Sequence, residues 1–326
     1  MPVVPAPPPA RPWPPALVGT PTVAVLERAI ARGRLAPSLL LHGESLETLA
    51  AVADAITDRL LAAPAAPGGS HPDCFVLRPA GKMRQIGADA TRALVDQVQV
   101  TAGFGERKVA VIHEADRMNS SAANIFLKTL EEPPANTTLL LLTTHPYALL
   151  GTIRSRCLHF RFPSDLAAQP IPAEGWSEWL ADYRGWLERL GAGAADPRTA
   201  ADHVFSAYGL VARFGSLLDR AAAAAWEKQR ARLPADLAED EQVAIETGIF
   251  KGLRSRCFAE LEAATRSYAR ARLLAGEDSV RRPFAAAIEE LERVSGLMQV
   301  NLNESAALEL FLLSSLRLWS RRAAPG

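Results

Sequence analysis

The chain has 326 residues, enough for two or three domains with sizeable cores. Its 36 basic and 36 acidic residues cancel, and the halves on either side of Pro163 carry only +3 and −3. Neither half is a basic arm or an acidic tail, so this chain alone should bind nucleic-acid phosphates weakly. The three cysteines, Cys74, Cys157 and Cys257, stand far apart with no CxxC pair. That excludes a legible zinc knuckle or disulfide framework and fits a reduced cytoplasmic setting.

In chain order, residues 1–20 read as a proline-rich leader. MPVVPAPPPARPWPPA has no apolar core and no basic start, so it is no secretory signal, and an extended, disordered segment is expected. No stretch approaches the length of a membrane span, so no membrane partner is expected. The spacing of Val23, Val25, Leu26 and Ile30 predicts a short helix over 22–34. A buried strand follows over Ser38–His42, closed by Gly43, then a long alanine-rich helix over 46–62. APAAPGGS at 63–70 reads as a linker. Further strands are predicted over 74–77, 109–112, 138–143 and 158–162, and helices over 91–100 and 118–130, the last stopped by Pro133 and Pro134. Continuous apolar runs alternating with helices predict a parallel sheet covered on both faces.

After Pro163 strand signals vanish. Residues 166–220 read as a small helical module interrupted near Gly191–Pro197, and 221–326 as a helical domain with breaks at Pro234, Ala275–Asp278 and Asn301–Asn303. Trp176, Trp179 and Trp186 are spaced as one helix face and read as core rather than as a stacking platform. The fold class is α/β plus all-α: a parallel-sheet domain over 21–165, a helical lid and a helical C-terminal domain.

Residues 108–163 follow the order in which a nucleotide-hydrolysing motor domain sets out its magnesium acids, sensor strand and trans-acting arginine. The phosphate loop that should precede them is degenerate. Such a loop needs glycines to let backbone N–H groups cradle phosphates, a lysine for the β/γ oxygens and a Ser/Thr for magnesium. LLLHGESLETLA at 39–50 offers Gly43 but no second glycine and no lysine. Leu46 stands near the lysine's place, the turn through Ser45 is too short to wrap a triphosphate, and Thr48 reads as structural. In VAVIHEAD at 109–116, His113 takes the place of the magnesium-linked acid, and imidazole does not suit magnesium. Glu114 and Asp116 read as solvated acids beside a helix N-terminus. Thr143 and Thr144 end their strand where a sensor would sit and, without nucleotide, read as local hydrogen-bond partners. In TIRSRC at 152–157, Arg156, between Ser155 and Cys157, precedes the last strand, where an arginine finger would protrude. The alternative is a surface arginine paired with an acid. Ser255-Arg256-Cys257 repeats the same letters inside a helical pattern and reads as coincidence. His71 reads as structural.

With these motifs the chain resembles the delta-prime subunits of bacterial replicative clamp loaders, an AAA+ family within DNA polymerase III. The resemblance rests on GRLAPSLLLHG (33–43), HPDCFVLRP (71–79), residues 108–163 and, more loosely, NLNESAALELFLLSSLRLW (301–319). It implies an AAA+ module, a lid and an oligomerising collar in a heteropentamer with gamma/tau and delta subunits. It also implies that the sliding clamp and primed DNA are bound within that complex. It further implies a stator without ATPase activity of its own, with no nucleotide or metal held by this chain and ATP with magnesium in the neighbouring subunit. Arg156 inherits the role of a trans-acting finger. Many relatives carry a four-cysteine zinc module after the first helix of the sheet domain, but 61–70 holds no cysteine, so no zinc is expected. An active ATPase subunit of the gamma/tau type is the alternative.

Overall fold

Three successive leucines can be buried only if both faces of their strand are covered, and this requirement organises the N-terminal part of the molecule. In the computed structural model, the residues described are 10–61, 71–100, 102–103, 105–162, 171, 173–193, 196–231, 233–234, 237–299 and 302–319. They divide into two compact units, residues 1–169 with 232–247, and residues 170–231 with 248–326.

The first unit is a five-stranded parallel sheet of β1 (Ser38–Gly43), β2 (Cys74–Leu77), β3 (Lys108–Ile112), β4 (Thr137–Thr143) and β5 (Leu158–Phe162), in spatial order β2-β3-β4-β1-β5. Alternate side chains face opposite ways. Leu39 and Leu41 of β1, Val109 and Val111 of β3, and Leu140 and Leu142 of β4 meet α1 (Pro21–Ala31) and α2 (Leu46–Leu61). Leu40, Ala110, Ile112, Leu139 and Leu141 meet α3 (Ala88–Gln99), α4 (Ser120–Glu131) and Ile153 of the short α5 (Gly151–Arg154). Each of these leucines is fully buried, worth about 1.5–3 kcal/mol apiece. The parallel sheet covered on both faces, expected from the alternating pattern, is present. Strand limits fall within one residue of those read from the sequence, and α4 starts later because Asn119 caps it by accepting from the Ala122 N–H at 2.8 Å.

The leader departs from expectation. Its first nine residues lie outside the described set, but from residue 10 onward it is docked rather than disordered. Arg11 grips the buried Asp58 of α2 through two guanidinium hydrogen bonds of 2.7 Å and its own backbone N–H at 2.9 Å. Trp13 is buried, donates to Glu27 at 2.8 Å and lies under Arg59 at 4.5 Å. Leu17 fills the space against the α1/α2 side of the sheet. Proline content predicts an extended chain, but not whether an anchor residue nails it down. The 63–70 linker lies outside the described residues.

The second unit is helical: α6 (Trp176–Ala192), α7 (Pro197–Arg230), most of α8 (Glu239–Leu274), α9 (Arg281–Gln299) and α10 (Glu304–Trp319). Breaks occur near Pro234, Ala275–Asp278 and Asn301–Asn303, as predicted. The lid-to-collar division read at Ala221 falls inside α7, because the alanine run 221–225 continues the helix unbroken. α6, α7, α8 and α10 share one hydrophobic core. Trp176, Trp179 and Trp186 lie in that core, their indole N–H groups donating to Glu260 (2.5 Å) and to the carbonyls of Leu210 and His203 (both 2.9 Å). The second Ser-Arg-Cys lies within α8, with Ser255 turned back onto the Lys251 carbonyl and Cys257 buried. Among the described residues no helix is long and apolar enough to cross a membrane.

Burial alone would raise the Asp58 carboxyl, but the hydrogen bonds from Arg11 overcome it and hold it below its ordinary value. Because the folded value is depressed, the stabilisation is complete above about pH 4 and disappears as pH falls through the folded value. Arg11→Ala should therefore lower the stability of the sheet unit at pH 7 by about 1–3 kcal/mol. It should also flatten the acid limb below about pH 4. Hydrogen exchange of α2 amides across pH measures both.

Candidate functional site

Parallel pairing places the C-terminal ends of β1, β3 and β4 side by side. His42 of β1 is in register with Thr143 of β4, and Gly43 with Phe162 of β5. This edge is where open parallel sheets hold ligands, and it is where the phosphate loop, acidic motif and sensor positions converge.

The phosphate-loop position is built for packing. A Cβ on Gly43 would collide with the Phe162 carbonyl oxygen, so the glycine serves the close approach of β5. Only Glu44 and Ser45 separate β1 from α2. Ser45 Oγ accepts from the Thr48 N–H at 3.2 Å, so this helix start is capped from within. Leu46 packs against the core shared by α1, α2 and the sheet instead of offering a cation. A two-residue turn supplies few free N–H groups and no lysine, which suits neither a triphosphate nor its magnesium.

The acidic turn is held by protein cations. Glu114, in the left-handed region at φ 48°, pairs with Arg84 and lies 3.7 Å from Arg117. Asp116 accepts from Thr143 Oγ1 at 2.5 Å and lies 3.8 Å from both Arg117 and His145. The two carboxylate side chains are only 15% and 7% exposed. They are therefore largely covered, paired acids, and the reading of them as solvated fails. Arg84, 30 residues from Glu114 in sequence, carries no local sign of this partnership. Thr143 is the local hydrogen-bond partner expected, since it also accepts from the His145 N–H at 2.9 Å. Thr144 Oγ1 lies 3.0 Å from His145 Nδ1.

Burial lowers the His113 imidazole well below its usual value, and the nearby Arg78 charge lowers it further, so it is neutral at physiological pH. Arg78 follows the last residue of β2; burial lowers it too, against the carboxylates of Glu241, Asp54 and Glu114. Glu241 stands on the first turn of α8, whose Asp240 carbonyl accepts from the Gly81 N–H at 2.9 Å. Sequence reasoning missed Arg78, Arg84, Arg117 and His145; the contacts of Arg78 and Arg84 and the approach of His145 to Asp116 are long-range, whereas Arg117 meets acids within three residues of itself. His71 is structural as expected, its Nδ1 accepting from the Asp73 N–H at 3.0 Å.

Arg156 is separate from this turn. It follows α5, and its side chain is 34% exposed. Its Nη2 donates to Glu131 Oε1 at 2.6 Å and its Nη1 to the Thr152 carbonyl at 3.0 Å. Ser155 Oγ donates to the same carbonyl, also at 3.0 Å. Burial pushes the Cys157 thiol up to about 12, so it is no nucleophile. Tyr147, on the β4–β5 connection, is 88% exposed, with the Arg154 guanidinium 5.1 Å from its ring. Among the described residues no group of three or more metal-ligating side chains occurs.

Residues 19–165 match the family described as "DNA polymerase III, delta subunit". The DNA polymerase III subunit delta' of Pseudomonas aeruginosa is 46% identical over 114 residues, 35% of this chain and 33% of that protein. Its Escherichia coli counterpart is 43% identical over 96 residues, 29% of each. The DNA polymerase III subunit tau of Salmonella typhimurium is 49% identical over 70 residues, 22% of this chain and 11% of tau. A DNA polymerase III gamma subunit-related protein from Thermotoga maritima aligns over 90% of this chain and 99% of its own, at 19% identity and a TM-score of 0.47. The matched stretches thus span a third or less of these curated relatives.

Gly43→Ala should cost about 1–3 kcal/mol by forcing β5 away from β1. Loss of protection in β5 amides, with Leu46→Ala less damaging there, would confirm that the glycine serves packing.

Proposed function

We propose that this chain, whose residues 19–165 match the DNA polymerase III delta-subunit family and which is similar over about a third of its length to delta' subunits, is a delta-prime-type, non-hydrolysing stator of a clamp loader that presents Arg156 to the nucleotide of an adjacent subunit. It works with gamma/tau and delta subunits in a heteropentamer that places the sliding clamp on primed DNA. It has no ATPase activity of its own. ATP and magnesium belong to the neighbour.

One contrast carries this reading. Arg156 is accessible at the edge of the module, while the chain's own nucleotide position has a two-residue turn, a leucine at the lysine's place and acids already occupied by arginines. A finger needs only to reach a neighbour's phosphates, where a guanidinium can stabilise the charge of a loose transition state. Nothing else in the chain's own pocket is required. Ser155 and Cys157 set the arginine's backbone: the hydroxyl turns back onto the Thr152 carbonyl, and the thiol packs against the sheet.

The gamma/tau alternative draws on the 49% identity to tau, but that covers 70 residues. It demands nucleotide binding by the isolated chain. Titration with ATP and magnesium should show no saturable binding at micromolar concentration. Micromolar binding abolished by changing Leu46 or Thr48 would move the assignment to an active ATPase.

In the reconstituted complex, Arg156→Ala should leave assembly intact and slow single-turnover hydrolysis at the adjacent site by about 10³-fold. An unchanged rate in a well-formed complex would remove the finger role.

A further inference from the structure

We infer that Glu131 is a positioning residue for Arg156, fixing the guanidinium so that its remaining donors face the neighbour's nucleotide. The inference rests on the finger reading above and adds a residue to it.

Glu131 is the last residue of α4. A carboxylate there meets the negative end of the helix dipole, which disfavours it unless a cation is close. Arg156 is that cation, 25 residues later in the chain, with Nη2 on Glu131 Oε1 at 2.6 Å. A second anchor comes from another element, the Thr152 carbonyl in α5, which takes Nη1 at 3.0 Å. Two acceptors on two elements hold the planar guanidinium against rotation. A guanidinium has five N–H donors, so two anchored hydrogens leave three for phosphate oxygens. Glu131 and a phosphate can therefore be engaged together.

α4 is a rigid support for this purpose. Its N-terminus is capped by Asn119, and its inner face is buried through Ala122, Ala123, Phe126 and Leu130. Glu131 thus stands at a fixed place on a packed helix. The pair itself is half-exposed, at 34% and 49%, so its strength is modest and it does not lock the arginine away. An arginine side chain is among the costliest to order, and holding its rotamer before the neighbour arrives removes part of that cost from the hydrolytic step.

The test uses the reconstituted complex and single-turnover ATP hydrolysis. Glu131→Ala should slow the step about three- to fivefold, the range of an exposed pair, with the ATP concentration for half-saturation unchanged. Glu131→Gln keeps an acceptor oxygen and should recover most of the rate. The double variant Glu131→Ala/Arg156→Ala should be no slower than Arg156→Ala alone, because Glu131 acts through the arginine. Urea midpoints of the isolated variants and gel filtration of the complexes check folding and assembly.

An unchanged or faster rate in Glu131→Ala would mean that the acid is idle or competes with the phosphate, and the inference falls. It falls equally if the double variant is slower than Arg156→Ala, or if Gln restores nothing. If Arg156→Ala itself has no effect, the finger reading fails and this inference goes with it.

Discussion

The fold of the sheet unit depends on β1 being buried on both faces while pairing on both edges. β1 lies between β4 and β5, and its register with each is set by a strand that cannot slip without turning Leu39, Leu40 and Leu41 to the wrong faces. The rest of the geometry follows. The ends of β1, β3 and β4 arrive at one sheet edge, α2 must start within two residues of Gly43, and the β4–β5 connection must return to the opposite edge, where Arg156 precedes the first residue of β5. None of this requires a nucleotide. The frame of this edge is maintained by apolar packing on the two faces of the sheet.

The acidic turn at this edge has a definite electrostatic form. Two carboxylates near a low-dielectric strand end are costly without cations, at several kcal/mol per unpaired buried ion. A magnesium ion would normally meet this need in an active motor. Here Arg84 and Arg117 meet it for Glu114, and Arg117 for Asp116, which also accepts a hydrogen bond from Thr143. His113 stands nearby as a neutral imidazole. The turn is thereby closed and internally satisfied, and it fixes the start of α4 at Asn119. At the other end of that helix stands Glu131, beside Arg156.

The strands, the shortness of the β1–α2 turn, the helix breaks and the buried tryptophan face were all readable in the sequence, because each is set by spacing within a few residues. The charge pairs were not. Arg11–Asp58, Arg84–Glu114 and Arg156–Glu131 are separated by 47, 30 and 25 residues, and periodicity carries no information on which acid a distant arginine will meet. This is why Glu114 and Asp116 read as solvated and the leader as loose from end to end. The α7 boundary was missed for a different reason. A run of alanines is equally compatible with a helix that ends and one that continues, and the decision lies in the core that α6, α7, α8 and α10 share.

The arginines of the sheet unit separate into two kinds by what their own fold gains from them. Arg84 is buried on an acid that is only 15% exposed, and Arg11 binds a carboxylate that is 1% exposed. Folding alone accounts for both. Arg156 is different: a half-exposed pair contributes about 0–1 kcal/mol, and its loss would leave no buried charge behind. Tyr147, on the same connection, is 88% exposed, with Arg154 beneath its ring, a costly way to leave a large apolar side chain in water. Neither Arg156 nor Tyr147 is explained by the stability of the isolated chain.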